Sequence, residues 1–145
     1  MAKVTQTVQI NARMDKVFGF VADPQRATTF VPGLNRISNL SSPEPKTGRK
    51  WDWEFNWFGL TLSGNTECTR YDPNTVYQFK TLTGARSTWT YRCEPRGQHT
   101  QVTLEVEYEV PSALLTRVTT RAILEKMNQN RAAEAVANLK ALLEP

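Results

Sequence analysis

The sequence predicts an α+β fold: a curved antiparallel sheet of six to seven strands wrapped around one long C-terminal helix, with two short helices after the first strand. Three observations carry this. The stretch KWDWEFNWF, residues 50–58, alternates Trp51, Trp53, Phe55 and Trp57 with Asp52, Glu54 and Asn56, which is the period of a half-buried strand. Strand-like runs separated by short Gly, Pro and Asn turns surround it for roughly eighty residues. The ending RAAEAVANLKALLE is dense in strong helix formers.

Residues 3–10, KVTQTVQI, place Val4, Val8 and Ile10 on one side and form the first strand. Asn11 caps a short helix through MDKVFGFVAD, where Met14, Val17, Phe18 and Val21 recur at helical spacing. Asp23-Pro24 stops it, because the residue before proline is pushed out of the helical region. A second short helix covers about Gln25 to Phe30 and ends at Pro32-Gly33. Asn35 to Leu40 is a strand, followed by the turn-rich loop SSPEPKTG and then the aromatic strand. Gly59 turns the chain into Leu60 to Tyr71. After Asp72-Pro73-Asn74 come Val76 to Thr83, a turn at Gly84, and Arg86 to Glu94. Pro95-Arg96-Gly97 connects to His99 to Val110. Such short connections imply antiparallel neighbours. Ser112 caps the final helix, which runs to about Leu143.

A chain of 145 residues is expected to form one domain, residues 1–145, with its own core. The net charge of +4 comes from 18 basic and 14 acidic residues without a Lys/Arg block, so nothing suggests a nucleic-acid partner. Cys68 and Cys93 lack ligand-type spacing, which argues against zinc or a disulfide framework and for two buried thiols in a reducing compartment. No signal-peptide apolar region and no run approaching ~20 apolar residues is present, so a cytoplasmic protein without stable membrane insertion is expected. No nucleotide, metal or nucleophile motif occurs, and no cofactor is expected. The lone histidine, His99, sits beside a turn and reads as a surface residue.

The apolar face of such a sheet needs cover, and the final helix is the only long element available. One helix is about 10–12 Å wide with its side chains, too narrow for the whole concave face. Large side chains, the short helices or a cavity must fill the remainder.

At this level the sequence resembles the START-like, or SRPBCC, superfamily, in particular its polyketide cyclase/dehydrase group, to which coenzyme Q-binding proteins are related. The resemblance rests on INARMDKVFGFVADP, YDPN, TYRCEPRGQHTQVTLEVEYEVP and AVANLKALLE, in order along essentially the whole chain. It implies the helix-grip fold, an antiparallel sheet curled around a long C-terminal helix and enclosing a deep, mostly apolar cavity. Members bind lipids, sterols, quinones, polyketides and plant hormones, and some catalyse cyclisation or dehydration. The superfamily shares no catalytic set, so the resemblance assigns no catalytic residue.

On that fold the alternation points Trp51, Trp53, Phe55, Trp57, Tyr77, Phe79, Trp89, Tyr91 and Tyr108 inward with Val102, Leu104, Val106 and Val110. The aromatics either form ordinary core or line a ligand cavity, and their bulk is also enough to fill it. Glu105, Glu107, Glu109, Arg86, Arg92 and Lys80 fall on the outward faces and read as cross-strand charge pairs. At about 100° per residue, Leu114, Val118, Ala122, Ala132, Val136, Leu139 and Leu143 share one helix face with Glu125 and Gln129. Those two polar groups then face the sheet, unless the helix changes phase near residues 119–130, as Ile123, Leu124 and Met127 on the opposite face suggest. Gln129 completes the expected cavity set, and Glu125 is the one candidate acid or base.

Three functions follow from these readings. The first is binding of a hydrophobic small molecule, such as a lipid, quinone or polyketide-like compound, in an aromatic-lined cavity. The second is a cyclase/dehydrase-type reaction there, with Glu125 moving protons. The third is an interaction module with a filled core, exposing Ile123, Leu124 and Met127. Oligomeric state is left open.

Overall fold

The computed structural model describes residues 2–111 and 121–145. The Ser112 cap and the positions of Leu114 and Val118 lie outside the described residues. Strand β1 (Ala2–Ile10) leads into helix α1 (Met14–Val21) and a 3-10 helix (Pro24–Thr29). Then follow β2 (Leu34–Ser38), β3 (Lys50–Trp57), β4 (Leu60–Asp72), β5 (Val76–Thr81), β6 (Ser87–Arg96), β7 (His99–Tyr108) and the long helix α2 (Arg121–Leu143).

The seven strands form one sheet in the order β1-β7-β6-β5-β4-β3-β2, and every neighbouring pair is antiparallel. Strands β2 to β7 are a plain meander, while β1 returns to pair with β7, Val8 facing Val102. Register shifts at Leu34/Arg36 and Cys68/Arg70 are the kind of irregularity that bends a strand and tightens its twist. The sheet curls around α2, which rests chiefly on β1. This is the helix-grip architecture.

The period-2 pattern decides what is buried. On β7, Val102, Leu104, Val106 and Tyr108 are buried, and Glu107 between them is exposed. Lys3 on β1 pairs with Glu105 across the outer face at 3.2 Å. One end of the sheet is sealed by Val17, Phe18 and Val21 of α1 with Phe30 and Val31, which join the same core as Tyr77, Tyr91 and Leu139.

Three local expectations are corrected. Asn11 does not cap α1: the N-cap is Arg13, without a side-chain bond. Residues 10–12 are used in a tight turn off β1, Ala12 N–H to Ile10 C=O at 2.9 Å, and the Asn11 N–H donates to the Glu144 carboxylate. The second short helix is 3-10 and starts one residue earlier, with Pro24 in its first turn and the Asp23 carboxylate accepting from the Gln25 N–H. Pro95 and Arg96 belong to β6, so the β6–β7 hairpin turns on Gly97 and Gln98 alone. Strand β5 pairs with β6 only up to Arg92, and a proline in a strand is tolerated where no neighbour needs its N–H.

Candidate functional site

Between the inner sheet face and α2 lies a cavity of about 160 Å³. All nine aromatics that the alternation points inward line it: Trp51, Trp53, Phe55 and Trp57 from β3, Tyr77 and Phe79 from β5, Trp89 and Tyr91 from β6, and Tyr108 from β7. Rings of β3 can reach those of β5 because β4, which separates the two strands, carries small residues there. Thr66 faces Trp51, and Gly64 faces Trp53. The Trp51 ring therefore meets Phe79 edge-on at 5.4 Å, Phe79 stacks on Trp89 at 5.8 Å, and Tyr77 stacks on Tyr91 at 6.3 Å. At the other end Trp57 meets Tyr108 edge-on at 5.8 Å. Ring pairs at such separations are favourable beyond the area they bury.

Ligand pockets commonly measure roughly 300–1,000 Å³. The aromatic bulk thus occupies much of the space between sheet and helix but not all of it. What remains suits a body about the size of one benzene ring, the occupant of dry cavities of ~150 Å³.

The helix contributes Asn128, Arg131, Ala132 and Ala135 to the lining. Its fully or largely buried residues are Leu124, Ala135, Val136, Leu139 and Leu143, so in its first half the sheet-facing stripe runs Leu124–Asn128–Ala132. Neither expected polar residue of the helix reaches the cavity. Glu125 is exposed. Gln129 is half-buried over the edge strand, where its Oε1 accepts from Gln6 Nε2 on β1 at 3.3 Å. Ile123 and Met127 are exposed but Leu124 is fully buried between them, so the three form no common surface patch.

Asn128 is the residue the sequence reading missed. Its Oδ1 accepts the Trp57 indole N–H at 2.9 Å. Its Nδ2 and the hydroxyl of Tyr108 are buried and have no hydrogen-bond partner among the described residues. The amide lies close enough to Tyr108 to favour the phenolate slightly, while burial, the larger effect, pushes the phenol pKa up. Burial does the same to Tyr77 and Tyr91, so all three phenols stay neutral across physiological pH.

Arg131 closes the cavity beside Trp57. Its guanidinium sits 4.5 Å from the Phe58 ring centre and donates to the Asn56 carbonyl at 3.3 Å, and desolvation lowers its pKa. Gly33 packs into this corner with a left-handed φ of +89°. Arg86 and Glu109, expected on the outer face, are exposed but also border the cavity and mark its mouth. Both lie just beyond the ends of β6 and β7, where the strict alternation lapses. His99 is exposed.

The family model described as polyketide cyclase/dehydrase and lipid transport matches residues 1–144. The chain belongs to this family. Among solved structures, a protein of Thermus thermophilus superposes with a TM-score of 0.80 at 17% identity, covering 97% of this chain and 95% of that one. A START superfamily protein from Mycobacterium smegmatis gives 0.72 at 14% identity, with 97% and 96% covered. The major latex-like protein 151 of Panax ginseng gives 0.70 at 16%, with 99% and 98% covered. At these identities the likeness is one of fold. None of the curated proteins compared matches the chain by sequence. Family and fold together make this an SRPBCC-type hydrophobic ligand-binding domain. Among the described residues, no helix is long and apolar enough to cross a membrane.

Proposed function

We propose that this protein holds an apolar, ring-containing small molecule in the cavity between the sheet and α2. The observation that carries the reading is the largely apolar, aromatic-rich lining around an unfilled space of about 160 Å³. Burial of apolar ligand surface supplies the driving force, at roughly 25 cal/mol per Å² before ordering costs. The space takes a ring-sized body, or the head of a longer molecule whose tail leaves past Arg86 and Glu109. Quinone-like and polyketide-like rings meet that description better than a bare acyl chain. The domain is read as residues 1–145 in one unit, and the two buried free thiols, Cys68 and Cys93, suit a reducing, cytoplasmic setting. Turnover by Glu125 draws no support from its exposed position.

The test is native mass spectrometry of the protein purified from its own host, with released compounds identified, alongside titration of the tryptophan fluorescence with single-ring apolar compounds. A stoichiometric apolar ligand, or saturable quenching, is expected. An empty protein whose fluorescence ignores the whole panel overturns the proposal.

A further inference from the structure

We infer that the cavity is built for a ligand with a hydrogen-bond acceptor, specifically a carbonyl oxygen, placed between Tyr108 and Asn128. This rests on the ligand-binding reading above and adds the chemistry of the group that sets orientation.

Tyr108 is only 6% exposed, and its hydroxyl is buried in the wall of the cavity without a partner among the described residues. An unsatisfied buried polar group is costly and calls for an explanation. The second such group, Asn128 Nδ2, belongs to a residue that lines the same cavity from the helix side. The orientation of that amide follows from its neighbour. The Trp57 indole N–H can only donate, and it is 2.9 Å from Asn128 Oδ1. The carbonyl end is thereby committed to Trp57; the NH₂ end makes no hydrogen bond among the described residues, though it lies near enough to the Tyr108 hydroxyl to favour its ionised form slightly.

Two donors, a phenol O–H and an amide N–H, thus stand at one end of a largely apolar, aromatic-rich chamber. An oxygen with two lone pairs satisfies both, as a ketone or quinone carbonyl does. A ligand hydroxyl would satisfy one donor well and compete as a donor itself. A hydrocarbon would leave both unpaired. Trp57, edge-on to Tyr108 and bonded to Asn128, fixes both donors before the ligand arrives, so little ordering cost falls on binding.

Acetophenone and ethylbenzene, alike in size and differing in the carbonyl, separate the two proposals. Each is titrated against the wild-type protein and Tyr108→Phe, and the carbonyl stretch of bound acetophenone is recorded by infrared difference spectroscopy. Wild type is expected to bind acetophenone roughly tenfold more tightly than ethylbenzene, with the stretch shifted to lower frequency. Tyr108→Phe is expected to lose most of that preference, read as the ratio of the two affinities within the same variant. If both compounds bind wild type equally and the stretch stays at its hydrocarbon-solvent position, the carbonyl inference is overturned and the ligand-binding reading stands. If neither binds, both fall.

Discussion

The indole N–H of Trp57 on β3 donates to Asn128 Oδ1 on α2 across 2.9 Å, tying the aromatic strand to the helix through the cavity wall. Replacing Trp57 by Phe leaves that amide oxygen without its donor and opens space beside Tyr108. We expect a loss of roughly 2–4 kcal/mol in urea unfolding. A double-mutant cycle with Asn128→Ala should return a coupling of about 1 kcal/mol; strict additivity would mean that the bond does not matter to stability.

Ala132 lines the cavity from α2, so a larger residue there takes up space that a ligand would occupy. Ala132→Phe is expected to abolish fluorescence quenching by apolar ring compounds while the far-ultraviolet circular dichroism is preserved. Overpacking should cost no more than about 1–3 kcal/mol. Unchanged ligand affinity in a folded variant would place the binding site elsewhere.

Two glycines with similar backbone angles separate strain from collision. Gly33 has φ +89°, and a Cβ there would lie 2.5 Å from the Asn56 carbonyl oxygen; Gly48 has φ +91° and open space around it. Gly48→Ala should lower stability by about 1 kcal/mol, the cost of the left-handed conformation alone. Gly33→Ala should cost clearly more and disturb the Arg131–Asn56 contact, as thermal melting of both variants would report. Equal losses would show that the corner relaxes freely.

Burial pushes the Cys93 thiol from an ordinary 9.0 up to about 12. The folded form therefore keeps a proton that the unfolded chain gives up, and stability falls as pH rises. The contribution is complete below pH about 9 and is lost as pH climbs toward 12. Chemical unfolding at a series of pH values should show the wild type weakening across this range. Cys93→Ala should weaken less over the same interval; an identical pH slope would contradict the assignment.

The strands were legible because a period of two does not drift. Once KWDWEFNWF fixes one face, each short turn hands the register on, and the nine inward aromatics land together on the cavity wall. The helix was harder to read. Its C-terminal stripe of Val136, Leu139 and Leu143 was legible, but extending it backward at a constant angle selected Glu125 and Gln129. The sheet twists beneath the helix, so the buried stripe shifts around it, and Leu124 with Asn128 faces inward instead. The spacing Leu124, Asn128, Ala132, Ala135, Leu139 was the available signal. Nothing local announces Arg131, because its partners Asn56 and Phe58 sit on a distant hairpin.

The return of β1 to the far edge of the meander also sets the order in which the molecule can assemble. Hairpins from β2 to β7 link near neighbours in the chain and close quickly, but β1 has only β7 to pair with. It must wait as an open edge until nearly all of the sheet has left the ribosome. Because α2 rests chiefly on β1, the helix lacks most of its seat before that moment. Joining the two ends is a long loop closure, and topologies dominated by such closures fold slowly. The contacts that complete the binding chamber are therefore among those with the longest loop to close, and a chain lacking them exposes its aromatic face to its neighbours.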